Sequence, residues 1–172
     1  MSDVPAPPDL AAKPASASCT EMVQIVLPND ANPLGFILGG TVMHLIDIAG
    51  AIAGHRHTRT RLVTAAVDGL QFLHPINVGD LIILKACVTC AFRTSLEVEV
   101  EVFSEETLTG ARRLTSRAYL TYVAVNQEGG TVPVPPLRLE TETDRERAAA
   151  AERRRRERLE ARRRFLDAMP EL

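Results

Sequence analysis

The sequence predicts an α+β domain in which one long antiparallel β-sheet wraps around a single central apolar α-helix, with a charged helix appended at the C-terminal side. Two observations predict it. The run TVMHLIDIAGAIAG at 41–54 is apolar nearly all round, the pattern of a helix buried on every side. Three long β-like runs and one shorter return follow it, and SLEVEVEVF at 95–103 alternates most cleanly. There Leu96, Val98, Val100 and Val102 share one face while Glu97, Glu99 and Glu101 share the other, as in a half-buried strand.

Taken in order, residues 1–19 are rich in Pro, Ala and Ser without periodicity and read as a disordered arm. EMVQIVLP at 21–28 is a first strand stopped by proline. Residues 29–40 form a loop, and the helix occupies 41–54, ending near Gly54. RLVTAAVDGLQFLHP at 61–75 is the next strand, with a bulge or bend at Gly69. NVGD turns the chain into LIILKACVTCAF, and after the acidic strand the loop SEETLTG returns it as ARRLTSRAYLTYVAVN. A hairpin turning near Thr107 sets Glu101 opposite Arg113 and Glu97 opposite Arg117. VPVPP ends the sheet, because consecutive prolines cannot serve a ladder. Residues 140–166 are Ala, Glu, Arg and Leu with acids three or four positions from arginines, an exposed helix. The expected division is an arm at 1–19, a globular domain at 20–138 and a charged helical tail at 139–172.

Composition removes several classes of function. A net charge of −2 and the absence of Trp argue against a nucleic-acid partner. The longest apolar run falls short of the roughly 20 residues a membrane span needs, so no membrane insertion is expected. The N-terminal residues carry no signal or transit pattern, and three cysteines with no disulfide framework suit a reducing cytoplasm. In CVTC, Cys87 and Cys90 are three apart on a strand and point to opposite faces, which excludes a metal or redox pair. His55 and His57 sit beside arginines that oppose a cation, which suits a solvated or nucleotide-contacting loop at the helix exit. No cofactor and no metal is expected.

One carboxylate, Asp47, interrupts the apolar helix, and burying a lone acid is costly. Around it, PNDANPLGFILGGTVMHLIDIAG, VTAAVDGLQFLHPINVGD, FRTSLEVEVEV and AYLTYVAVNQEGGTVPVPPL follow in order. Together they resemble the signature of the hotdog-fold acyl-CoA thioesterases, over residues 22–137, and the basic C-terminal helix is similar too. The resemblance implies the hotdog fold and hydrolysis of fatty acyl-CoA to free acid and CoA. It also implies a functional pair, an Asn before the helix and an Asp fifteen residues on, here Asn32 and Asp47. Asp47 is then general base or nucleophile, and Asn32 orients water or carbonyl. Backbone N–H groups around Gly39 and Gly40, at the positive end of the helix dipole, supply the oxyanion hole. Arg93, Thr94 and Ser95 match a family segment near the CoA moiety of the substrate. His44, three residues before Asp47, shares nearly the same helix face and is a candidate to tune the acid.

Gly40 and Asp47 are seven residues apart, which separates them by roughly 10 Å along a helix axis, too far for one reacting carbon. A second subunit would bring one Asp47 to the other helix start, and the resemblance implies the same: a homodimer at least, assembled into a homohexamer as a trimer of dimers. Two alternatives stand beside hydrolysis. DANPLG at 30–35 matches the hotdog enoyl-CoA hydratase motif up to its last position, where Gly35 replaces the catalytic histidine. The other alternative is a non-catalytic acyl-CoA-binding module.

Overall fold

The computed structural model describes residues 10–169. Five antiparallel strands form the main sheet: β2 (Thr20–Ile25), β3 (Arg61–Phe72), β4 (Leu81–Ala91), β5 (Ser95–Glu105) and β6 (Arg112–Val125). β1 (Lys13–Pro14) and β7 (Leu137–Arg138) make a small parallel pair. The main sheet has the order β2-β4-β5-β6-β3. Helix α1 (Gly39–Thr58) lies on one face of it, and helix α2 (Glu142–Asp167) lies on the other. The predicted sheet-around-helix architecture is present.

The core sits between α1 and the sheet. Val42, Leu45, Ile46, Ala49 and Ala53 of α1 pack on Leu84, Val88, Leu96, Val98, Val100 and Tyr122. Helix α1 runs four residues past Gly54, to a cap at Arg59 with φ of 54°. Gly54 is no terminator: a Cβ there would meet Leu62 Cδ1 at 2.5 Å, so the glycine lets helix and sheet close together. Nor does one chain bury this helix on every side. Met43 is 49% exposed, and Val63 and Val67 on the edge strand β3 are exposed as well. Gly69 behaves as expected, with positive φ and a register shift between Asp68 and Gln71.

The β5–β6 hairpin departs from its expected register. Glu101 faces Arg117, and Arg113 faces Ser104. The turn does include Thr107, over residues 107–109, and closes at Gly110 with φ of 71°; a ladder centred one to two residues later and a bulge between Val102 and Phe103 change the pairs. Two acids of β5, Glu97 and Glu99, do not face solvent either. Glu97 is fully buried because α2 covers it: Arg154 donates from Nε and Nη2 at 3.0 and 2.6 Å. Arg147 pairs with Glu99 at 3.2 Å, and Arg158 pairs with Asp68. The Arg154 guanidinium also stacks 3.5 Å over Tyr119, and that of Arg155 lies 4.4 Å over Phe92. The expected exposed tail therefore forms an outer layer.

Of the expected disordered arm, residues 1–9 lie outside the described residues, and the rest is ordered. Lys13 N–H donates to Pro136 O at 3.0 Å, and Lys13 Nζ reaches His57 O at 2.9 Å. Ser18 is fully buried and its hydroxyl accepts from Val88 N at 3.0 Å. Backbone and polar side-chain bonds fix this segment, which is why apolar periodicity did not reveal it. A disulfide joins Cys19 to Cys87, contrary to the expectation of none. The β2–β4 register, with Thr20 opposite Ala86, carries the two cysteines face to face with Cα atoms 4.3 Å apart. The alternation argument for CVTC also fails. A register shift between Val88 and Cys90 returns Cys90 to the α2 side, beside Glu97 and Glu152. Cys90 stays a buried free thiol there, raised to about 11 chiefly by burial.

Candidate active site

The loop before α1 is organised by Asn32. Its side-chain Oδ1 accepts from the N–H groups of Leu34 at 2.9 Å and Phe36 at 3.3 Å. Gly35, at φ of 82°, closes this turn with its own N–H on Asn32 O at 3.0 Å. The oxygen end of the Asn32 amide thus holds the loop, and its –NH₂ end makes no hydrogen bond among the described residues. The loop delivers the chain to Leu38, which precedes α1 in extended conformation. Gly39 and Gly40 are therefore the first helical residues, whose N–H groups have no acceptor within the helix. Gly39 is packed against the Phe72 ring, where a Cβ would lie 3.5 Å from Cζ, while Gly40 is open. Asn32, Gly39, Phe72, His74 and Ser116 line a cavity of about 370 Å³.

Asp47 stands two turns further along α1, half-buried, and does not line that cavity. Its Oδ1 accepts from the Thr64 hydroxyl at 2.7 Å and from the Tyr122 hydroxyl at 3.3 Å. Tyr122 also donates to the Asp47 main-chain carbonyl at 2.9 Å. Burial first, then the Asp47 charge and the hydrogen bond to its side chain, push the Tyr122 phenol far above its ordinary value, so it remains a donor. Oδ2 of Asp47 accepts no hydrogen bond among the described residues. Thr64 and Tyr122 were missed in the sequence because nothing in a strand pattern tells which hydroxyl faces a helix carboxylate.

The remaining candidates scatter. Arg93 and Thr94 lie in the β4–β5 turn, with Arg93 exposed, and Ser95 opens β5. Ser95 is level with Val123 and Val63, at the end of the sheet where Gly54 of α1 meets Leu62 and Leu96. The Asn32–Gly39 loop lies at the other end, against Phe72. One chain therefore keeps the CoA-turn candidates, Asp47 and the α1 N-terminus at successive levels of the sheet. His44 is exposed. His55 and His57 are not in a solvated loop: both belong to the last turn of α1. They diverge there, His55 outward onto Thr60 O and His57 inward onto Pro135 O at 2.9 Å.

Residues 34–111 match the model of the thioesterase superfamily. An uncharacterized acyl-CoA thioester hydrolase of Bacillus subtilis is 40% identical over 110 residues, 64% of this chain and 64% of that protein. A hexameric acyl-CoA thioesterase, solved in its apo form, matches with TM-score 0.84 and 38% identity, covering 88% of this chain and 97% of its own. The chain belongs to the thioesterase superfamily. A Staphylococcus aureus acyl-CoA hydrolase, solved with butyryl coenzyme A, coenzyme A and coenzyme A disulfide, gives TM-score 0.80 at 32% identity, covering 90% and 96% of the two chains. The matched stretch spans 64% of the Bacillus relative and 32% of rat cytosolic acyl coenzyme A thioester hydrolase, 35% identical over 124 residues. For a superfamily member the five-stranded sheet around α1 is the hotdog framework, and both Asn32 and Asp47 present open polar atoms on it. No described helix is long and apolar enough to cross a membrane.

Proposed function

We propose that this chain hydrolyses acyl-CoA thioesters to free acid and CoA, with each site shared between two copies. The observation that carries it is the division of α1. The open amides and the cavity are at its N-terminus, while the open carboxylate oxygen is two turns away beside the exposed Met43 and edge strand β3. A two-fold partner covering that flank would set one Asp47 against the other chain's Gly39 and Gly40. The similarity to a hexameric acyl-CoA thioesterase supports further assembly into a trimer of dimers, a homohexamer.

In the reaction so proposed, Asp47 takes a proton from water as the water oxygen bonds to the thioester carbon. The carbonyl oxygen gains negative charge at the Gly39 and Gly40 amides, and the Asn32 –NH₂ orients water or carbonyl. Collapse breaks the C–S bond, and the thiolate leaves with the proton Asp47 held. Direct attack by Asp47, through an anhydride that water then opens, uses the same residues. Arg93, Thr94 and Ser95 contact the phosphate-bearing part of CoA. Neither route needs a cofactor, a metal, a nucleic acid or a membrane. The cytoplasm is the proposed location on the similarity to cytosolic acyl coenzyme A thioester hydrolases alone, because the Cys19–Cys87 bond removes the cysteine argument for it. Hydration is disfavoured because the position of the hydratase histidine is Gly35, whose φ of 82° suits glycine and strains a histidine.

The test is thiol release by the purified protein from a chain-length series of acyl-CoAs, with Asp47→Asn alongside. Wild type should turn over, and Asp47→Asn should lower kcat at least about a hundredfold with a smaller change in KM. Tight acyl-CoA binding without thiol release would favour the binding module.

A further inference from the structure

The Tyr122 hydroxyl has one proton and two acceptors, both on one residue: the Asp47 carbonyl at 2.9 Å and Asp47 Oδ1 at 3.3 Å. Tyr122 is 1% exposed and the largest of the fully buried side chains among the described residues, so its ring cannot swing away without opening the core. Its reach to α1 depends on Gly50. Three residues after Asp47, Gly50 lies against the ring, and a Cβ there would overlap the Tyr122 hydroxyl and come within 3.2 Å of Cε2 and Cζ. Gly50 is thus a notch in α1 that admits the phenol. With Thr64 also on Oδ1 at 2.7 Å, both hydroxyls occupy the same carboxylate oxygen. The other oxygen, Oδ2, is left without a donor among the described residues.

Resting on the proposed hydrolysis, we propose that Tyr122, seated in the Gly50 notch, is a positioning residue that pins the Asp47 carboxylate by Oδ1 and presents Oδ2 to the reacting water. A carboxylate free to rotate offers two oxygens in many orientations. A hydroxyl tied to both main chain and side chain of one residue fixes that rotation relative to the helix, which is what general-base geometry requires. Burial, together with the Asp47 charge, keeps the phenol protonated, so the contact holds across working pH. The groups meeting Asp47 from the packed elements are Thr64 on β3 and Tyr122 on β6. Asp47 is the charged residue that acts on the phenol.

Tyr122→Phe keeps the ring and deletes the hydroxyl. The expected result is a folded protein with KM within about twofold and kcat lower by roughly tenfold, the size of one well-placed hydrogen bond. In an Asp47→Asn background the same change should do nothing further. Gly50→Ala should reproduce the loss by displacing the hydroxyl, and Tyr122→Phe added to Gly50→Ala should be no worse than Tyr122→Phe alone. Unchanged kcat in folded Tyr122→Phe, with Asp47→Asn inactive, would overturn this inference and leave the hydrolysis standing. Normal turnover by Asp47→Asn would overturn both.

Discussion

Asp47 and His57 sit ten residues apart on α1, and their surroundings set opposite tasks. Asp47 is half-buried with one oxygen open, and His57 is fully buried with its ring closed in. His57 Nε2–H donates to Pro135 O, while Nδ1 has no partner among the described residues. Burial holds this histidine below its ordinary value; the Pro135 bond opposes that, and the nearby Lys13 charge reinforces it. Protonation would place a second N–H donor where nothing accepts it. The unfolded chain, titrating near about 6.5, then binds more protons than the folded one as pH drops below that value. Stability contributed by neutral His57 is therefore present above about 6.5 and lost as pH falls toward the lowered folded value. Thermal melts at pH 7, 6 and 5 should show a decline in Tm that is shallower in His57→Gln, whose amide can keep the Pro135 bond. Equal slopes would assign the acid sensitivity elsewhere. At this scale, chemistry was legible only where a residue was out of place. An acid in an apolar helix stands out, whereas Tyr122 among strand aromatics does not, and nothing in HRH tells the buried His57 from the exposed His55.

Strand β5 shows what alternation conveys and what it omits. Its apolar face did go to the core, because Leu96, Val98, Val100 and Val102 are all fully buried. Its acidic face carries the same period whether water or an arginine-bearing helix lies beyond it. The covering layer comes from residues 57 positions away, Arg154 on Glu97, and local pattern holds no record of that distance. The same limit explains the hairpin shift, since a bulge and a longer loop change register without changing the alternation of β6. The α2 interface makes a quantitative forecast. In the Glu97–Arg154 pair the side chains are 1% and 21% exposed. Arg154→Met should therefore leave a buried carboxylate without its bidentate partner and cost about 2–4 kcal/mol in urea unfolding, somewhat below a fully buried pair. Adding Glu97→Gln should restore part of that loss, since the uncompensated charge is then gone. A loss under about 0.5 kcal/mol would mean that α2 is held by Ala148, Ala151 and ring stacking, and that the pair behaves like a surface ion pair.

For the whole molecule, the sheet and helix order were legible from one sequence, but a complete site was not, because on the proposed reading each site takes residues from two chains. The cavity at the α1 N-terminus and the open oxygen of Asp47 face different levels of the same helix. The flank that would join them to a second copy is already marked by Met43, Val63 and Val67, exposed at 49%, 48% and 52%. Symmetry turns this into arithmetic. A two-fold interface builds two sites, each taking the Asn32 loop from one chain and Asp47 from the other. Asn32→Ala and Asp47→Ala homodimers then contain no intact site. A heterodimer of the two contains one site with both residues altered and one with both intact. After subunit exchange between equal amounts of the two inactive proteins, random pairing should make about half of the dimers heterodimeric, each with one working site of two. Activity should therefore return to about a quarter of the wild-type level per chain. The return should track exchange, followed by differently tagged chains co-purifying, and should be absent at time zero. Proven exchange with no recovery would mean that each chain assembles Asn32 and Asp47 into its own site, and the shared-site mechanism would be wrong.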